Sequence, residues 1–121
     1  MASFDTETLR LLEPVQEVEI RTEKHPRAAV PIWVVVAGGD VYVRSVRGEK
    51  GRWYQDLKAG SPATLEIRGR RIHIQSAPAT DAGSVERASQ AFLSKYRGSP
   101  YVASILRTEI LPTTLRLEPR P

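Results

Sequence analysis

The stretch Arg44-Ser45-Val46-Arg47-Gly48-Glu49-Lys50-Gly51-Arg52 concentrates side chains that can do chemistry on an anion: four cations, a hydroxyl and two glycines. It lies between a run that reads as a strand and one that reads as a helix. A helix start offers unsatisfied backbone N–H groups, so a phosphate beside Arg52 would meet main-chain donors and cationic side chains together. Trp33 and Trp53 supply flat apolar surfaces nearby, and the set describes a site for a flat, phosphorylated ligand. The plainer reading is a solvated loop of mixed charge, with Glu49 inside it. Neither GxGxxG nor GxxxxGK[ST] occurs, which excludes the dinucleotide fingerprint and the P-loop.

Other chemistry is sparse. There is no cysteine, hence no disulfide, thiolate nucleophile or cysteine-based metal site. No HxH, HExxH or carboxylate cluster has metal-ligand spacing, so no metal is expected. The two histidines are His25, beside Pro26 in a turn, and His73, between Ile72 and Ile74 in an alternating run; either could act as a general base. Tyr96 and Tyr101 could donate a hydrogen bond or pass a proton in a pocket, or could be core or rim residues with a polar tip. His73, Tyr96 and Tyr101 are the catalytic candidates.

The elements that must position these groups fit one domain of 121 residues, 40% hydrophobic and 26% charged. Ser3 to Glu13 reads as a helix capped by Ser3 or Asp5 and stopped by Pro14. Val15, Val18 and Ile20 mark a strand with one wet face. Val30 to Ala37 is β-branched and reads as one strand buried on both faces, with Pro31 at its start or on an edge. Gly38-Gly39-Asp40 turns it into Val41–Val46, giving a hairpin from Pro31 to Val46. Arg52 to Ala59 reads as a helix ended by Gly60. Ala63–Arg68 and Arg71–Gln75 form a second hairpin about Gly69-Arg70. A helix from Asp81 ends before Gly98 with Val85, Ala88, Phe92 and Leu93 or Tyr96 on its apolar face. A short helix over Tyr101–Leu106 and a strand over Thr113–Glu118 close the chain. The class is α+β, mainly β: a six-stranded antiparallel barrel with peripheral helices, residues 1–121 as a single domain.

The formal net charge is +4, and the excess sits entirely in residues 61–121. It admits anionic partners, and Arg68, Arg70 and Arg71 raise a nucleic-acid-binding barrel as one reading. Low aromatic content, 7%, ranks that reading last. No apolar run reaches membrane-spanning length and the N-terminus lacks a signal-peptide pattern, so a cytoplasmic location is the default.

Over Ile32-Trp33-Val34-Val35-Val36-Ala37 and on through Tyr42-Val43-Arg44-Ser45 to Gly51-Arg52-Trp53-Tyr54, the chain resembles a family of small bacterial proteins of unknown function. That family is related to split-barrel flavin-binding proteins, among them pyridoxamine-phosphate-oxidase-like and deazaflavin-dependent reductases. The resemblance implies a split β-barrel and a homodimer with the ligand at its interface. It implies a ring site lined by Ile32 and Trp33, phosphate contacts from Arg44, Ser45, Lys50 and Arg52, and interface or pocket positions for Trp33, Trp53 and Tyr54. The GRKxG-type signature of many deazaflavin reductases is absent, which leaves FMN, a deazaflavin or no cofactor open. The implied activity is a flavin- or deazaflavin-dependent oxidoreductase acting on a small organic substrate. The alternative is a cofactor-independent barrel that binds a small molecule and isomerises, cyclises or eliminates it.

Overall fold

Two left-handed glycines, Gly38 and Gly39 (φ +60° and +83°), reverse the chain between short strands in the geometry that matches strand twist. Around this hairpin the computed structural model, which describes residues 3–121, places eleven helices and strands. In chain order they are α1 (Thr6–Leu12), β1 (Val18–Thr22), β2 (Val30–Ile32), β3 (Val35–Ala37), β4 (Asp40–Val43), α2 (Arg52–Lys58), β5 (Ala63–Ile67), β6 (Arg70–Pro78), α3 (Ala82–Lys95), α4 (Val102–Ile105) and β7 (Leu115–Pro119). Tight helical turns at Gly48–Lys50 and Thr108–Thr113 complete the path. Asp5 caps α1 by accepting from the Thr8 N–H at 2.8 Å, and Asp81 caps α3 by accepting from the Ser84 N–H at 3.0 Å. Among the described residues no helix is long and apolar enough to cross a membrane.

All seven strands form one antiparallel sheet in the order β2-β1-β5-β6-β7-β4-β3. Six were expected, and the extra one arises because Val30–Ala37 is not a single strand. It breaks at Trp33-Val34: Ile32 pairs with Val18 on one side of the break, and Val35 pairs with Tyr42 on the other. The same peptide therefore supplies both edges of the sheet. In a flat sheet those edges would lie about 29 Å apart, six strand spacings. Three Cα steps from Ile32 to Val35 span no more than about 11 Å. The sheet must curl, and it forms a mainly β half-barrel. Pro31, on edge strand β2, is exposed as its missing N–H requires.

Alternation along the strands sends two sets of side chains to opposite faces. Val18, Ile20, Val41, Val43, Leu65 and Leu117 fill the concave side, closed by Tyr54 and Leu57 of α2. Val35 and Tyr42 face outward and are covered by Ala88, Phe92 and Tyr96 of α3 and by Ile105. The α3 stripe is Ser84, Ala88 and Phe92, four residues apart; Leu93 of the expected stripe points outward.

The break is held from outside. Val34 is fully buried, yet it lies outside both strands, so its peptide groups need other partners. The last residue of α3 and its neighbour provide them. The Val34 N–H donates to Tyr96 Oη at 3.3 Å, and the Val34 carbonyl accepts from Lys95 Nζ at 2.7 Å. Tyr96 Oη donates in turn to the Gln16 carbonyl at 2.7 Å, and Lys95 Nζ to the Leu12 carbonyl at 3.2 Å. Burial pushes the Tyr96 phenol up to about 12 and the Lys95 ammonium down to about 8.

The second hairpin turns at Arg68-Gly69, one residue earlier than expected, with Ile67 paired to Arg70. Both turn residues have positive φ, +49° at Arg68 and +79° at Gly69. A left-handed arginine is strained, whereas Asn-Gly suits this turn. Arg68→Asn is expected to raise stability by about 0.5–1 kcal/mol in urea unfolding at unchanged slope; a lowered midpoint would contradict it. The Lys95 shift has a signed consequence. A lysine whose folded pKa of about 8 lies below the ordinary 10.5 penalises the folded state at neutral pH. That penalty lifts as pH rises between those values. Wild-type stability measured relative to Lys95→Met should therefore climb over that window, and a flat or falling difference would be inconsistent with a buried ammonium at the break.

Candidate functional site

The break in the sheet also opens a cavity of about 440 Å³. Its walls come from four places: β2 with the break (Pro31, Ile32, Trp33), the segment after β4 (Arg44 to Arg47), the entry to α2 (Gly51, Arg52, Trp53), and α4 with its preceding turn (Tyr101, Ser104, Ile105). Six expected ligand-binding residues, Ile32, Trp33, Arg44, Ser45, Arg52 and Trp53, meet in this wall. The seventh, Lys50, does not: it ends the tight turn Gly48–Lys50 with its side chain exposed and outside the lining. Arg47 and Gly51 line the cavity instead, along with Ser104 and Ile105, whose contribution from α4 has no local sequence signal.

Trp33 is fixed before any ligand arrives. Its ring stacks on Tyr96 with centroids 3.9 Å apart and planes 2° from parallel. Because Tyr96 is itself anchored at the break, the indole is held as a rigid part of the wall.

Arg44 and Ser45 are neighbours with opposite hydrogen-bond states. Arg44 is 2% exposed. Its Nε donates to Thr114 Oγ1 at 2.8 Å, one Nη to the Ile105 carbonyl at 3.2 Å, and the other Nη to the Val85 carbonyl and Ser89 Oγ at 2.9 and 2.8 Å. The guanidinium also sits 5.4 Å from the Phe92 ring centroid. These four bonds leave one of its five N–H groups. Burial pulls its pKa down to about 10, and its bonds go to hydroxyls and carbonyls rather than to a carboxylate. The expected phosphate contact thus serves first as a strut joining β4, α3, α4 and the approach to β7.

Ser45 is 1% exposed, and its Oγ has no hydrogen-bond partner within the protein. Gly51 lies directly against it: a Cβ there would come 2.4 Å from Ser45 Oγ. The glycine thus leaves room for a buried, unpartnered hydroxyl behind the cavity wall. Such a group costs about 1–3 kcal/mol if nothing satisfies it.

The catalytic candidates are dispersed. Tyr101 stands on the cavity rim, 69% exposed. Tyr96 is buried, and its hydroxyl is engaged by the backbone of Gln16 and Val34 rather than by the cavity. His73 lies on β6 opposite Thr64, in a separate concavity shared with Glu19, Arg21, Glu66 and Arg71. His73 Nδ1 lies 3.5 Å from Thr64 Oγ1, and the closer histidine contact belongs to the other ring. His25 Nδ1 lies 2.6 Å from Asp56 Oδ2, and Asp56 is 3% exposed on α2. The sequence signal for this pair was an aspartate beside Leu57 on the packed side of a short helix.

The neighbours separate by substitution. Ser45→Ala removes an unsatisfied hydroxyl, so thermal stability should stay level or rise by up to about 1 kcal/mol. Arg44→Lys loses the planar fork and orphans buried acceptors, and should cost roughly 3 kcal/mol. Equal losses in chemical denaturation would show that Ser45 is a structural residue like Arg44.

The conserved hypothetical protein Rv2991 from Mycobacterium tuberculosis is similar over 99% of this chain and 83% of that one, with TM-score 0.67 and 10% identity. The FAD binding protein from Mycobacterium smegmatis is similar over 100% of this chain and 92% of that one, with TM-score 0.52 and 17% identity. At these identities the likeness is one of fold. No match is found among curated proteins. Residues 8–117 match the family described as "Uncharacterized protein conserved in bacteria (DUF2255)", and the chain belongs to that family.

Proposed function

We propose that the protein binds a flat phosphorylated cofactor, FMN or a deazaflavin, in the cavity between Trp33 and Trp53, and acts as an oxidoreductase on a small organic substrate. The observation that carries this reading is the Ser45 hydroxyl, buried without a protein partner against Gly51, in a residue that lines a largely apolar cavity. The volume, about 440 Å³, is within the range of small-molecule sites. The fold shared with the FAD binding protein from Mycobacterium smegmatis supports the same ligand class.

In this reading Ile32, Trp33 and Trp53 exclude water from the ring system and fix its plane. Ser45 Oγ donates to a phosphate or ring oxygen, the remaining Arg44 N–H stands behind it, and Arg47 and Arg52 offer charge from the wall. A bound flavin supplies the hydride-transfer chemistry, so the protein's task is orientation and electrostatics. Tyr101 at the rim is the side chain placed to meet a substrate. The dimer belongs to the same proposal: Val46 and Tyr101 leave apolar surface exposed at the cavity mouth, where a second copy would enclose the ligand.

Titration with FMN and with a deazaflavin tests the proposal. Binding should perturb the visible spectrum and quench tryptophan emission, because both tryptophans line the cavity. Ser45→Ala should weaken binding about tenfold while leaving the fold intact. Failure of both cofactors to bind at tens of micromolar would overturn it. Release of a colourless small molecule from the flavin-free protein would favour the cofactor-independent barrel instead.

A further inference from the structure

Arg52 belongs to two walls. Beside the apolar cavity lies a second concavity of about 410 Å³, lined by Lys24, His25, Pro26, Arg27, Ala28 and Arg52. Every ionisable group in this lining is a base. The acidic groups nearby are engaged elsewhere: Glu23 pairs with Arg120 at 3.2 Å, and Glu66 lies 3.9 Å from Arg21. Asp56 sits beneath the wall, accepting from Thr22 Oγ1 at 2.7 Å and facing His25 Nδ1 at 2.6 Å.

Several contacts hold the backbone of the His25 turn in place. The His25 N–H donates to Thr22 Oγ1 at 3.2 Å, its carbonyl accepts from the Ala28 N–H at 3.1 Å, and Arg21 donates to the Pro26 carbonyl at 3.2 Å. Burial works to raise the Asp56 pKa, but hydrogen bonds from His25 and Thr22 and the charge of Lys24 outweigh it and keep the carboxyl ionised. An ionised carboxylate accepts only, so Nδ1 carries the hydrogen and Nε2 is the free ring atom.

We propose that this concavity is an oxyanion-binding site for a phosphorylated or carboxylated small molecule. Lys24, Arg27 and Arg52 supply charge and fork-shaped donors. His25, its Nδ1–H given to Asp56, lines the same concavity. The groups facing His25 are Asp56 and Arg52 from α2 and Lys24 and Arg27 from its own turn, with Thr22 of β1 behind. Three cations against one carboxylate leave the local charge positive without any contribution from the imidazole. The site does not depend on flavin binding, although a ligand seated here would be one guanidinium away from the apolar cavity.

The probe is inorganic phosphate, with citrate as the carboxylate arm, titrated into the full chain at constant ionic strength. The readout is the nitrogen-correlated imidazole NMR signals. Only two histidines contribute, and His73→Gln assigns them. Millimolar phosphate or citrate should shift the His25 nitrogens saturably and leave His73 still, and the stronger anion identifies the ligand class. Arg27→Ala, on an exposed turn, should weaken binding about tenfold, and Lys24→Ala provides a second variant. Still His25 signals, or equal drift of both histidines, would overturn the proposal. Phosphate binding without flavin binding would leave this site standing and remove only the cofactor reading.

Discussion

Val34 is the residue on which the rest of this structure depends. It sits where one β-branched run stops belonging to one edge of the sheet and starts belonging to the other, fully buried and without a ladder partner. Both of its peptide groups are satisfied by the C-terminal end of α3, through Tyr96 Oη and Lys95 Nζ. A buried peptide group left unpaired costs as much as a lost hydrogen bond. These two side chains therefore let the edges of a seven-stranded sheet be joined by two residues. The curl follows, and with it the cavity beside the break. Trp33, the residue just before Val34, is stacked on the same tyrosine and becomes a wall of that cavity.

The segment after β4 divides its work between adjacent residues. Arg44 turns toward α3, α4 and the approach to β7, where four protein acceptors hold it. Ser45 keeps its hydroxyl buried against Gly51 with no partner in the protein. On α2, Arg52 and Asp56 are four residues apart, about one helical turn. Arg52 contributes to both concavities, and Asp56 orients His25 beneath the second. One short helix thus couples an apolar cavity to a cationic one.

Much of this was readable in the residues. Gly38-Gly39 marks a hairpin, Ser3 or Asp5 marks one helix start and Asp81 another, and the cation-rich stretch after β4 lies where six expected residues converge. What could not be read depends on contacts distant in sequence. Nothing in Val30–Ala37 signals a break, since Val34 and Val35 suit one long strand as well as two short ones. The satisfaction of Val34 comes from residues sixty-one and sixty-two positions away. The same distance hid the use of Tyr96, which local pattern leaves equally able to face a pocket or the core. Lys50 ends the tight turn Gly48–Lys50, outside the cavity lining, a placement that no local residue pattern signals. Arg68 in a left-handed turn defied residue preference, as the pairing of Ile67 with Arg70 fixed the turn one position earlier.

Native-state hydrogen exchange at the Val34 amide tests the central claim most directly. Lying between two strands, it would exchange like a loop amide if the break were loosely held. The clamp by Tyr96 and Lys95 predicts protection close to that of the central strands, lost only on global unfolding. Fast exchange of Val34 in an otherwise protected sheet would contradict the account, because neither the curl nor the cavity wall would then be pinned at this point.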